Sequence, residues 1–181
     1  MDEGAGLDRV GDDFVRLATQ TALPGAALNP GSEGNAMDQI IDINLKGYFL
    51  CSQAAGRVMI RQRSGSILMN SSIAGSIGIQ GLVPYASAKG GVNQLTRTLA
   101  VEWAPYNVRV NAFAPAYFEN VMQGVEAVHN EAKERHIREW TPLGRRGRLE
   151  ELIGPVVFLA SDASSYVTGH ILMVDGGWTA A

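Results

Sequence analysis

Apolar residues recur along this chain with two different periods. From Met37 to about Arg61 they fall at helical spacing, with Met37, Ile40, Ile41, Leu45, Tyr48 and Phe49, then Ala55, Val58 and Met59, marking one face. Gly65-Ser66-Ile67-Leu68-Met69-Asn70 is a short apolar run ending in polar residues, which predicts a buried strand. After a loop rich in Gly and Ala, a helix opens at Tyr85; Ala88, Val92, Leu95 and Leu99 form its apolar stripe and Pro105 closes it. Val108 to Ala114 predicts the next buried strand, and Glu150 to Ala160 an amphipathic helix capped by Ser161-Asp162. Thr168 to Val174 predicts a last strand before the turn at Asp175-Gly176-Gly177. Strands and helices in alternation imply an α/β unit whose sheet is mostly parallel, built on Ile67, Val108 and Ile171.

Two stretches carry weaker patterns. Asp13 to Ala22 could form a short helix, and Leu23 to Gly34 reads as a loop punctuated by Pro and Gly. A phosphate cradle would need a strand before those glycines, a helix directly after them and the G-x-G-x-x-G order, none of which is present. Residues 121–141 are polar and loosely helical.

Composition narrows the function classes. The 181 residues are 46% hydrophobic and 18% charged, as in a globular domain, and the net charge of −3 without a basic run argues against nucleic acid. No apolar run reaches membrane-spanning length and no signal peptide opens the chain, so neither a membrane nor export is expected. Cys51 stands alone within an apolar helical pattern, which predicts a buried structural thiol and a reducing, cytoplasmic home. His129, His136 and His170 lack metal-ligand spacing, so no metal is expected. Arg145, Arg146 and Arg148 form a basic patch, read as a solvated turn ahead of an anion site.

The chemistry concentrates between Gly65 and Trp103. Tyr85 and Lys89 are four apart and share a helix face, away from the core stripe. Alone, Tyr-x-x-x-Lys is unspecific. With Ser72 thirteen residues before Tyr85, the segment resembles the short-chain dehydrogenase/reductase family of classical type, over residues 36–181. Read alone, Asn44 is a polar residue tolerated near a helix kink; beside the other three it matches the family's fourth catalytic residue.

That resemblance implies a three-layer, doubly wound, Rossmann-like domain over residues 1–181, with residues 1–35 poorly matched. It implies NAD or NADP as cofactor and a small alcohol or carbonyl as substrate, of sugar-acid, polyol or 3-oxoacyl type. Catalysis would rest on Asn44, Ser72, Tyr85 and Lys89, and cofactor contact on Asn70, Tyr85, Lys89, Pro115, Ala116, Phe118 and Asn120. Lys89 is expected to lower the Tyr85 pKa. Subunits would pair as dimers or tetramers through the long helices.

The chain also departs from the family. No Thr-Gly-x-x-x-Gly-x-Gly turn and no Asn-Asn-Ala-Gly turn occurs, so the chain reads as N-terminally truncated, with an impaired grip on cofactor. Ala116 replaces the usual Gly and Asn120 the usual Thr. The alternative is a non-catalytic remnant serving as an oligomerising scaffold or subunit.

Overall fold

A computed structural model of the protein describes residues 34–119 and 131–181. The loop and helix expected within residues 1–33 and the candidate Asn120 lie outside the described residues, as does His129. The described elements are α1 (Gly34–Ile41), a π-helical turn (Asp42–Lys46), α2 (Gly47–Gln62) and β1 (Gly65–Asn70). They continue with α3 (Val83–Trp103), β2 (Val108–Pro115), α4 (Glu131–Trp140), α5 (Ile153–Ala160) and β3 (Ile171–Val174), with short 3-10 turns between.

The strands form one parallel sheet in the order β1-β2-β3, within a three-layer Rossmann-like α/β arrangement. Gly65 to Asn70 lie opposite Val108 to Phe113, and Ala112 to Pro115 opposite Ile171 to Val174. Val108, Val110, Ala112, Phe113 and Ala114 are all buried because β2 is covered on both faces, which is why it reads as a continuous apolar run. Met69, Val92, Leu99, Ala100, Val110 and Ile171 meet in the core, joining α3 to the sheet. Among the described residues β1 has β2 as its only partner strand.

Local contacts set where the strands begin. Arg63 and Asn107 both take the left-handed conformation, at φ 53° and 59°, shortly before β1 and β2. Asn107 Nδ2 donates to the Arg63 carbonyl and Arg63 Nη2 to the Pro105 carbonyl, so the two turns brace each other. Asn is among the few residues that adopt this conformation readily. On β2, Arg109 donates to the Leu159 and Ser161 carbonyls and thereby ties the end of α5 to the sheet.

The helical stripe over residues 37–61 needs correcting. Ile40 is buried, but Met37, Phe49 and Val58 are exposed. The π turn widens the helix locally and rotates α2 relative to α1, so a single regular period cannot describe both. Cys51 falls on the exposed side and is not the buried thiol expected from its apolar neighbours.

Candidate active site

β1 ends at Asn70 and delivers two serines to the carboxyl edge of the sheet. Ser71 prolongs the strand pairing through its N–H to the Phe113 carbonyl. Ser72 then caps a 3-10 turn, its Oγ accepting the Ala74 N–H at 3.2 Å. α3 begins at Val83 with Pro84 in its first turn, where a missing N–H costs nothing. One residue on stands Tyr85, and the Ser72 hydroxyl hydrogen-bonds its phenol.

Lys89 comes one turn later, but it is not on an outward face as the spacing suggested. It is 1% exposed. Its Nζ donates to the Asn70 carbonyl at 2.8 Å and lies 5.5 Å from the Tyr85 ring centroid. Asn44 sits in the π turn, also 1% exposed, with Nδ2 donating to the Ile40 carbonyl, and this turn packs against α3. Such π turns recur at functional sites because they re-aim a side chain from within a helix.

Burial governs the electrostatics. It pushes the Tyr85 phenol up, with the Ser72 hydrogen bond opposing, and it draws Lys89 down to about 8. The expected lowering of Tyr85 by Lys89 is therefore not seen in the free protein. Both groups are drawn toward their neutral forms, since charge is disfavoured away from water. A neutral phenol is the form that can donate a proton to a developing alkoxide.

Sequence reasoning missed Tyr48, reading it only as part of an apolar stripe. It lies one turn beyond Asn44, with Lys89 Nζ 5.1 Å from its ring centroid and its hydroxyl bonded to the Asn70 backbone. The spacing from Asn44 could have found it.

The remaining candidates lie at the ends of β2 and β3. Pro115 pairs with Val174, and the Ala116 N–H donates to the Val174 carbonyl. Phe118 is buried and bridges to Gly147, where an added Cβ would meet its ring at 2.5 Å. A cavity of about 120 Å³ lies here between Tyr117, Phe118, Leu143, Gly147 and Val174, apart from Ser72, Tyr85 and Lys89. Trp178 packs on Tyr117 at 4.9 Å and on His136 at 5.7 Å, tying α4 to the C-terminal turn. The arginines are no free basic patch: Arg145 and Arg148 pair with Glu151, and Arg146 with Glu134.

The residues present fit the nicotinamide end of a dinucleotide. Asn70 Oδ1 is buried without a hydrogen-bond partner among the described residues, beside Lys89, which leaves an acceptor for a ligand donor.

Comparison with known proteins bears on the family and the fold. A family model described as enoyl-(acyl carrier protein) reductase matches residues 18–179. A 3-oxoacyl-(acyl-carrier-protein) reductase of Thermotoga maritima is 45% identical over 140 residues, which is 77% of this chain and 56% of that protein. A 5-keto-D-gluconate 5-reductase of Escherichia coli K12 is 40% identical over 144 residues, 80% of this chain and 56% of that one. The crystal structure of a gluconate 5-dehydrogenase from Burkholderia cenocepacia in complex with NADP and tartrate superposes with a TM-score of 0.80 at 37% identity. That match covers 84% of this chain and 59% of the other. The chain thus spans a little over half the length of the curated relatives it matches. With the family model extending over most of its length, the chain belongs to the short-chain dehydrogenase/reductase family.

Proposed function

We propose that Ser72, Tyr85, Lys89 and Asn44 serve the NAD(P)-dependent interconversion of a secondary alcohol and a carbonyl compound, within one domain spanning residues 1–181. The observation that supports this reading is convergence on a single phenol. Ser72 arrives from the end of β1, Lys89 from the next turn of α3, and both meet Tyr85.

A bound dihydronicotinamide would supply the hydride, held by Asn70, Tyr85, Lys89, Pro115, Ala116, Phe118 and Asn120. The chain's own residues supply alignment and the proton. Ser72 donates a hydrogen bond to the substrate oxygen and orients the carbonyl. Tyr85, kept neutral by burial, gives its proton to that oxygen as the new C–H bond forms. The Lys89 cation stabilises the phenolate left behind. Asn44, on the turn packed against α3, carries the water that links Lys89 to solvent.

The grip on the far end of the dinucleotide is weak in this chain, which holds no Thr-Gly-x-x-x-Gly-x-Gly turn. Losing about 4 kcal/mol of binding raises a dissociation constant roughly a thousandfold. The relatives named above favour a sugar acid or a 3-oxoacyl thioester as substrate. Exposed Phe49 and Val58 on α2, with Ile153 and Val157 on α5, favour a homo-oligomer, dimer or tetramer. Among the described residues no helix is long and apolar enough to cross a membrane. The single Cys51, which has no cysteine in the chain to pair with, favours a reducing cytoplasm.

A second reading, a non-catalytic subunit, draws support from β1, which has no second partner strand among the described residues. Calorimetric titration with NADH and NADPH separates the two. Millimolar binding with slow turnover fits the enzyme. Micromolar binding contradicts the weak grip, and no binding of either dinucleotide favours the subunit.

A further inference from the structure

Lys89 carries its ammonium into surroundings that are largely aromatic. The side chain is 1% exposed, and its Nζ donates to the Asn70 carbonyl at 2.8 Å. An ammonium has three protons to donate, and that carbonyl uses one. The ammonium also lies over two ring faces, with the Tyr48 centroid at 5.1 Å and the Tyr85 centroid at 5.5 Å. Both are within the ~6 Å over which a ring quadrupole attracts a cation.

Tyr85 belongs to the proposed reaction, whereas Tyr48 takes no part in its proton or hydride transfer. Tyr48 comes from another element, α2, and its hydroxyl bonds to the backbone of Asn70. Asn70 is also the residue whose carbonyl holds Lys89, so one strand end fixes both the ring and the cation.

We propose that Tyr48 is a positioning residue, whose ring face holds the Lys89 ammonium charged and aimed at the Tyr85 phenol. The inference rests on the proposed roles of Tyr85 and Lys89. Burial by itself drives a lysine toward the neutral amine, and here it is what draws Lys89 down. Among the described residues the groups facing Lys89 are Tyr85 on its own helix, Tyr48 on α2 and the Asn70 carbonyl at the end of β1. Among the described residues no carboxylate pairs with Lys89, so the Asn70 carbonyl and the two ring faces are what oppose the loss of its proton. Tyr48 does not compete as a base. Burial, with Tyr85 and Cys51 adding to it, pushes its phenol up to about 12. A leucine would fill much of the same space and offer no such face.

The test is a pH titration of Lys89 by NMR in the full chain, with lysine labelled at Cε and Nζ and the resonance assigned from Lys89→Met. Tyr48→Phe keeps the ring and should leave the midpoint within about 0.3 unit. Tyr48→Leu should lower it by about one unit, equivalent to about 1.4 kcal/mol. Trifluorophenylalanine at position 48 drains the ring face at nearly constant shape, and should lower the midpoint relative to Tyr48→Phe. A midpoint that is unchanged or raised in the fluorinated protein overturns the proposal, even if Tyr48→Leu fails to fold. Where turnover is measurable, Tyr48→Leu should lower kcat with little change in KM. The titration needs neither cofactor nor turnover. If instead Tyr85→Phe leaves turnover intact, the reading of the site fails while the Lys89 series still stands or falls by itself.

Discussion

The Ser71 hydroxyl donates to Oδ1 of Asn93 across 2.5 Å, joining the loop that carries Ser72 to the helix that carries Tyr85 and Lys89. The same carboxamide donates through Nδ2 to the Gly75 carbonyl at 3.0 Å and the Ser76 hydroxyl at 3.1 Å. Asn93 is one turn beyond Lys89 and 3% exposed, so one buried side chain ties the loop down on both sides of Ser72.

Asn93→Ala should therefore destabilise the protein by about 1–3 kcal/mol, since it removes a partner from the buried Ser71 hydroxyl and from the part-buried Gly75 carbonyl. Urea unfolding measures this, and loss of amide protection across residues 72–76 should accompany it. A change below about 0.5 kcal/mol, the range of ordinary surface substitutions, would contradict the role of the carboxamide.

Gly75 makes that approach possible. A Cβ there would lie 2.7 Å from the Lys89 carbonyl oxygen and 2.9 Å from Asn93 Nδ2. Gly75→Ala should push the loop off α3, costing about 1–3 kcal/mol and weakening the Ser72 bond to Tyr85. Thermal unfolding checks the first, and turnover at fixed cofactor the second.

The buried lysine makes stability depend on pH with a definite sign. Lys89 is drawn from 10.5 to about 8, so between those values the unfolded chain holds a proton that the folded protein releases. Stability then rises with pH from about 8. Tyr48 and Tyr85 are raised from 10.0, so the folded protein holds their protons longer than the unfolded chain, and the gain reverses above that value. Below about 8 the charged lysine costs on the order of 3 kcal/mol. Lys89→Met should accordingly stabilise the fold at neutral pH by about 1–2 kcal/mol while abolishing turnover. Chemical unfolding at pH 7 checks it, and a destabilised Lys89→Met protein would contradict the cost assigned to the charge.

How much of this was legible in the sequence depends on which interactions are local. The three strand segments around Ile67, Val108 and Ile171 could be read as one sheet because β2, buried along its length, leaves an apolar run, and its half-buried neighbours β1 and β3 leave shorter ones. Ser72, Tyr85 and Lys89 are singled out in the sequence by the family resemblance that their spacing carries, and one turn of helix and one strand end bring them together. The burial of Lys89 could not, because it depends on Tyr48 and Asn70 arriving from other elements. Cys51 was misread for a related reason: the π turn before α2 shifts the helix face that a regular 3.6-residue period assigns to the core. The pairing of Arg146 with Glu134 was likewise invisible, being formed across a turn between α4 and the loop after it.

The pH dependence of carbonyl reduction should reflect the same groups. Reduction needs a protonated Tyr85 beside a charged Lys89, a state that persists until Lys89 titrates at about 8. The value of kcat/KM reports the free protein's groups and should fall above that pH. A profile flat through pH 8 and falling only near 10 would indicate that Lys89 keeps its ordinary value.

The most direct test of the central claim compares the unaltered chain with Tyr85→Phe in single-turnover reduction at millimolar NADPH. Deuteride transfer from labelled cofactor to a 5-keto sugar acid or a 3-oxoacyl thioester would be followed by mass spectrometry. Removing the one phenol on which Ser72 and Lys89 converge should lower the rate by about 100-fold or more, the usual contribution of a positioned general acid. Transfer at an equal rate in both proteins would mean that Tyr85 is not the proton donor, and would contradict the account.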